Sequence, residues 1–340
     1  MTTAIVTRIE AQVATLDAAT QWRNAAGDWL KNLDSDRTRR AYADAWKDFL
    51  TFAGDKLPDQ VSQSDVIDYR FFLKTTTSPK TGKPFSQSTI NQRLSALSSF
   101  FRFAQGRNLR PDNPVDGVNR ESVTPYGKAT WLDPEEGEDL AFLKAIDDTT
   151  DQGKRDKAIV LLYLTGAFRV SELTALTLDA LRRQGRRLFV TYQHKGGEVE
   201  EVVIADEAAE ALDAYLQTRG NLPAGAPLFV ATERGRKAAQ SIGRYEEGEV
   251  KPLTSRAIRY LVKTYADKAL GRGHGIRPHS LRHTAAQALL LEGGSLTDVS
   301  RLLKHKSMQV TTIYLHATKK SDKKTAALLG RRYGAAMAAD

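Results

Sequence analysis

Toward the end of the chain, His279-Ser280-Leu281-Arg282-His283 is followed by Leu303-Lys304-His305 and then by Tyr314. Imidazoles, a guanidinium and a phenol thus share one stretch patterned as helix. The set suits work on a phosphodiester: cations for the non-bridging oxygens, acid–base groups, and a hydroxyl to attack phosphorus. His279 and His283, at i and i+4, also have the spacing of a zinc helix. A metalloprotease-type site has Glu directly after the first His, however, and position 280 is Ser. Gly275, Pro278, Arg272 and Arg277 around the pair favour an anion over a cation. His279 and Arg282, at i and i+3, can face one point, and Arg grips phosphate with a fork of donors. His283 falls on the adjoining face, where it reads as a support. Tyr314, between Ile313 and Leu315, is by itself an ordinary core residue. As a nucleophile it needs cations nearby, because a phenol titrates only at about pH 10.

Two earlier residues would complete such chemistry. Arg169 and Glu172 in Arg169-Val170-Ser171-Glu172-Leu173 are helical neighbours flanked by apolar residues. They form either a surface ion pair or a buried pair tied to a site. Lys195 occupies the turn His194-Lys195-Gly196-Gly197, where lysine and glycine are usually solvated. Cleaving a phosphodiester leaves an alkoxide that departs poorly unless protonated, and a mobile ammonium can deliver that proton.

These side chains need a framework. The chain has 340 residues, 41% hydrophobic and 27% charged, which fits two globular domains. Cysteine is absent, so disulfides, thiolate zinc sites and cysteine nucleophiles are excluded and a cytoplasmic location fits. No run is apolar enough to span a membrane, and the N-terminus has no signal-peptide pattern. The net charge of +9 favours a polyanionic partner.

Residues 1–19 read as an arm or short leading helix, and 20–120 as a small helical domain. Asp34-Ser35-Asp36 starts a helix whose first turn carries Arg37, Arg39 and Arg40. Positive charge there opposes the helix dipole, which a phosphate partner would explain; a solvated face is the alternative. Ser64-Asp65 is expected to cap the next helix, and Ser86 starts another with Asn91, Gln92 and Arg93 off its apolar stripe. Such side chains can meet phosphates or base edges.

A Pro- and Gly-punctuated boundary follows, with a linker at 121–130. From 131 to 340 the pattern is mixed. A helix start is expected at Asp133-Pro134, and a helical run over 156–178 is interrupted near Thr165-Gly166. Strands are expected over 187–192, 199–204 and 228–230, with helices over 206–218 and 253–269 and a loop over 231–251. The fold class expected is mainly α with a small β-sheet.

The ordered set Arg169, Lys195, His279-x-x-Arg282, His305 and Tyr314 resembles the tyrosine site-specific recombinases, or phage integrase family. The likeness covers most of the chain and includes the flanks Arg-Val-Ser-Glu-Leu, His-Ser-Leu-Arg-His-Thr and Lys-His-Lys-Ser. It points to the simple two-domain Cre/Xer-like type. The resemblance implies a helical core-binding domain that holds DNA, a mixed α/β catalytic domain, and metal-free transesterification with no cofactor. Tyr314 would attack the scissile phosphate to give a 3′-phosphotyrosyl link. Arg169, Arg282 and His305 would hold the non-bridging oxygens, and Lys195 would protonate the leaving 5′-oxygen. His279 would exchange a proton with the tyrosine, and Glu172 would orient its neighbours. Strand exchange would pass through a Holliday junction, with a homotetramer on two double-stranded DNA sites and a monomer or dimer off DNA. The location implied is the cytoplasm, at the nucleoid.

Three departures accompany the resemblance. Ala167 and Phe168 both stand between Gly166 and Arg169, where relatives often have one residue. The hairpin after Lys195 is acidic, with Glu198, Glu200 and Glu201. No basic N-terminal arm domain of the large phage integrases precedes the helical domain. The basic tail with Lys319, Lys320, Lys323 and Lys324 before Ala326-Ala327-Leu328-Leu329 matches the family's protomer-docking helix. Two rivals are a type IB topoisomerase, with the same covalent chemistry, and a DNA-binding relative without catalysis.

Overall fold

Ser35 separates the first two helices, its side chain accepting from the Thr38 amide to cap α2 (Asp36–Ala53) at the expected start. The structure is a computed structural model that describes residues 2–123, 130–194, 197–220, 222–223, 225–231, 250–304, 311 and 314, with side chains from residue 17 onward. Ahead of Ser35, α1 (Thr2–Lys31) runs without a break. The expected division at 19/20 is therefore absent: Ala18, Ala19, Ala25 and Ala26 favour helix, and no Gly or Pro precedes Gly27.

The cap of α3 (Gln63–Thr75) is Ser62, two residues before the expected Ser64. Ser62 Oγ accepts from the Asp65 amide, and the Asp65 carboxylate accepts from the Ser62 amide at 2.8 Å. Asp65 thus completes a capping box rather than supplying the cap. Ser86 caps α4 (Gln87–Gly106) as expected. Four helices bury Trp29, Trp46, Phe49, Tyr69, Phe100 and Phe101, with the Trp46 and Phe100 rings only 4.0 Å apart. Glu121 closes this core from outside: its carboxylate meets Arg70 at 2.7 Å and Lys74 at 3.3 Å.

The chain forms two compact units, Met1–Thr124 and Pro125–Asp340. In the second, the expected helix start at Asp133-Pro134 is a turn. Asp133 accepts from the Glu135 amide and its own amide donates to Glu138, so α5 (Glu138–Lys144) begins only after Gly137. Thr150 caps α6 (Asp151–Gly166), and α7 (Val170–Thr174) follows a break at the expected place.

The sheet has three antiparallel strands in the order β1 (Leu181–Gln184), β2 (Arg187–Gln193) and β3 (Val199–Ile204). Phe189 pairs with Val203, and Gln193 with Val199. Leu188, Val190 and Tyr192 alternate into the core, as a half-buried strand should. β1 was not expected, because Leu181 is its only apolar residue. The expected strand at 228–230 is instead a pair of isolated bridges, Thr177 to Pro227 and Val230 to Pro252. A proline in each bridge cannot donate to a ladder. Residues 232–249, most of the expected loop, lie outside the described residues.

The remaining helices are α8 (Asp206–Gln217), α9 (Ser255–Leu270), α10 (Pro278–Leu291) and α11 (Leu296–Leu303). Buried residues of α6, α8, α9 and α10 pack with the inner face of the sheet in one core. The leading segment of this unit is clamped to the start of α10. Thr130 Oγ1 donates to Gly275 O at 3.0 Å and lies 3.1 Å from Ser280 Oγ, while the Leu132 amide donates to Thr284 Oγ1 at 2.9 Å. Among the described residues, no helix is long and apolar enough to cross a membrane.

Candidate active site

The two residues between Gly166 and Arg169 are both buried. Phe168 is buried, its ring 5.0 Å from that of Tyr192 on β2 at a near-perpendicular 68°. The ring lies so close over Gly166 that a Cβ there would fall 2.4 Å from Phe168 Cε2. Ala167 then takes a left-handed φ of 47° to close α6. That conformation costs an L-residue about 1 kcal/mol or more. It brings Arg169 out as the N-cap of α7.

Arg169 and Glu172 are therefore a cap and its third residue, rather than two turns of one helix. The Arg169 amide donates to Glu172 Oε2, and Arg169 Nη1 to Oε1, each at 2.7 Å. Glu172 is buried, so this pair is no solvated surface bridge. A third side chain joins it, one the sequence reading left as part of a turn. His194 is buried, with Nδ1 3.1 Å from Arg169 Nη1 and 3.3 Å from Glu172 Oε1. The signal was in the period of β2: 188, 190 and 192 point inward, and 194 continues the series.

α10 supplies the other half. Pro278 sits at its first position and Ser280 Oγ accepts from the Arg277 amide. Arg282 is 3% exposed and donates from Nη1 to Ala167 O and from Nη2 to Leu303 O. Burial, with Arg169's charge second, pulls its guanidinium down to about 10. His279 lies at the exposed rim. Partial desolvation first, then the Arg282 and Arg169 charges, hold its imidazole below the usual range. One turn on, His283 is buried and its ring stands edge-on to that of His279 at 4.5 Å.

Tyr314 completes the cluster at 3% exposure, packed with Ala167, Ala285, Ala286, Val299 and Leu303. Its hydroxyl is 2.5 Å from His283 Nδ1. The histidine read as a support is thus in direct contact with the phenol. Lys195 and His305 lie outside the described residues, as does the basic tail. Lys304, which ends α11 at a left-handed φ of 49°, pairs with Glu200 of β3. Glu201 pairs with Arg182 of β1 at 2.7 Å, so these two acids of the hairpin have partners within the protein.

The residues expected to meet DNA divide into two groups. Arg39 donates to Leu30 O and Leu33 O, tying off the end of α1. That gives its place in the first turn of α2 a purpose inside the protein. Asn91 donates to Glu121 O and accepts from its amide, and Arg93 pairs with Asp48 and Tyr69 while lying over Phe85. Arg37, Arg40 and Gln92 are exposed.

Residues 131–321 match the phage integrase family, and 32–110 match the phage integrase N-terminal SAM-like domain. The chain is 31% identical over 293 residues to "Tyrosine recombinase XerC" of Listeria innocua, covering 86% of this chain and 90% of that one. It is 32% identical over 295 residues to the protein of the same name from Thermodesulfovibrio yellowstonii, covering 84% and 88%. In fold it is similar to the XerH site-specific recombinase bound to palindromic difH substrate in a post-cleavage complex (TM-score 0.62, 18% identity, 86% of this chain and 79% of that one). It is also similar in fold to a lambda integrase dimer bound to a COC' core site (TM-score 0.59, 17% identity, 87% and 94%).

Proposed function

This chain belongs to the phage integrase family as a tyrosine recombinase of the Xer type, and we propose that it exchanges DNA strands through a covalent link to Tyr314. In this reading the Tyr314 oxygen attacks the scissile phosphate, giving a 3′-phosphotyrosyl bond and a free 5′-hydroxyl. Arg169 and Arg282 receive the charge that builds on the non-bridging oxygens, and His305 adds a hydrogen bond there. The phenolic proton passes to imidazole: His283 Nδ1 is already in contact, and His279 is held neutral and so able to accept. Lys195 protonates the leaving 5′-oxygen. Attack by the 5′-hydroxyl of a second strand reverses the chemistry and conserves the bond energy, so neither ATP nor a metal ion enters the scheme. Two such rounds pass through a Holliday junction in a homotetramer on two double-stranded DNA sites, in the cytoplasm at the nucleoid.

One observation carries the reading. Ala167 and Leu303, which pack against Tyr314, are also the residues whose carbonyls hold Arg282. Burial, and after it the charge of Arg169, lowers the pKa of Arg282. Two like charges kept close and partly dry make a preorganised seat for an anion beside the phenol.

The test is a suicide DNA substrate, nicked so that the cleaved fragment is lost. A covalent protein–DNA adduct should form in EDTA and disappear with Tyr314→Phe. An adduct in the Phe variant, or none in EDTA, would sink the mechanism. Strand transfer between two labelled duplexes separates recombination from topoisomerase-type rejoining.

A further inference from the structure

His194 belongs at once to two structures that recombination chemistry would use, and the sequence has it only as one residue of a turn. Through its backbone it closes that turn: its amide donates to Glu198 O at 2.7 Å, and its carbonyl accepts from the Gly197 amide at 3.0 Å. Through its ring it reaches the start of α7, where Nδ1 is 3.1 Å and Nε2 3.4 Å from Arg169 Nη1. Burial to 7% exposure keeps water from taking over that contact.

The donor count at Arg169 gives this contact a consequence. Nη1 carries two hydrogens. Glu172 Oε1 takes one at 2.7 Å, and the His194 ring packs against the same nitrogen, with Nδ1 3.1 Å from Nη1 and 3.3 Å from Glu172 Oε1. A guanidinium is planar, so a terminal nitrogen held by Glu172 and walled in by the His194 ring fixes the plane of the whole group. Nε and Nη2 then form the edge left for a phosphate, and no described residue is bonded to that edge. Glu172 alone would hold the group by a single nitrogen, about which it can swing.

We propose that His194 is a positioning residue: its buried ring fixes the Arg169 guanidinium so that its phosphate-facing edge is aimed before DNA arrives. The proposal rests on the reading of Arg169 as a clamp on the scissile phosphate. It assigns to His194 an effect on reaction rate with little effect on DNA binding, because Arg169's orientation matters most where charge builds up in the transition state.

The experiment measures single-turnover adduct formation on a suicide substrate at saturating protein, with DNA affinity measured in parallel. His194→Leu keeps bulk and removes the ring nitrogens that contact Arg169 and Glu172. It should slow adduct formation on the order of 10- to 100-fold, the effect of one lost hydrogen bond to a charged group, with DNA affinity unchanged within about twofold. His194→Asn places an amide oxygen close to the position of Nδ1 and should recover most of the rate. A substrate with a 5′-bridging sulfur, whose leaving group needs no proton, should not rescue His194→Leu. Rescue would mean that His194 serves only the turn around Lys195, and it would overturn the proposal. An unchanged rate in His194→Leu, or an Asn variant that is folded yet as slow as Leu, would also overturn it. If His194→Leu fails to fold, His194→Met carries the same comparison. Wild-type and Tyr314→Phe controls separate this proposal from its foundation: absence of a Tyr314-dependent adduct in wild type indicts the recombination reading and not His194.

Discussion

Arg282 spends donors on two backbone carbonyls, Ala167 O and Leu303 O, before any substrate is present. That use fixes a desolvated charge in one orientation, and it makes the residue hard to replace. Arg282→Ala should lose about 3 kcal/mol of transition-state stabilisation, roughly a hundredfold in adduct rate. Arg282→Lys should recover little, because an ammonium cannot span both carbonyls and still present a flat edge. Single-turnover cleavage measures both. His279 gives a prediction in pH. Its folded value lies below the ordinary one, chiefly through desolvation. As pH falls, the unfolded chain therefore takes up this proton first. The residue's contribution to stability is intact above about pH 6.5 and is lost progressively below it. Its imidazole should be half-protonated only below pH 6.5, which NMR titration of the ring carbon-bound protons will follow. At this scale the sequence marked Arg169, His279, Arg282 and Tyr314 as candidates by residue type and order. It was uninformative where only three-dimensional contact mattered. His283 looked like a bystander because its partner is 31 positions away, and Arg39 and Arg93 looked available because their carbonyl, carboxylate and phenol partners leave no mark on local pattern.

The break between α6 and α7 shows how an element boundary sets a site. Phe168 is buried against Tyr192 and covers Gly166, and Ala167 is left-handed. Gly166→Ala would push against that ring, at the usual overpacking cost of about 1–3 kcal/mol, and it would disturb the residue just before Arg169. The variant should melt at lower temperature and cleave more slowly, and adding Phe168→Leu should restore part of the melting temperature. No recovery of either quantity would show that the contact at Gly166 is not what shapes the break. Helices and strands with a strong period were legible: α2, α4, β2 and β3 stand where alternation or 3–4 spacing put them. Starts governed by side-chain competition were less so. Asp65 and Asp133 each could cap a helix, and each instead bonds a neighbouring amide in a capping box or a turn.

The chain has two separate cores, and its net charge of +9 suits a polyanionic partner. The first unit closes its own aromatic core and pins its last described turn through Glu121, so residues 1–124 expressed alone should unfold in one cooperative transition by circular dichroism. On the whole chain, Arg37→Ala and Arg40→Ala should each weaken DNA binding about equally across sequences. Each should also reduce the slope of log affinity against log salt by about 1, if that arginine meets a phosphate. A slope that does not move assigns the exposed arginine to solvent. The second unit begins differently. Thr130 and Leu132 are bonded to Gly275, Ser280 and Thr284, which bracket the first turns of α10. Thr130 and Leu132 are thus a mechanical handle on the helix that carries His279 and Arg282. Displacing these two residues would load four hydrogen bonds around the first turns of that helix, so their backbone and the His279–Arg282 turn move as one lever.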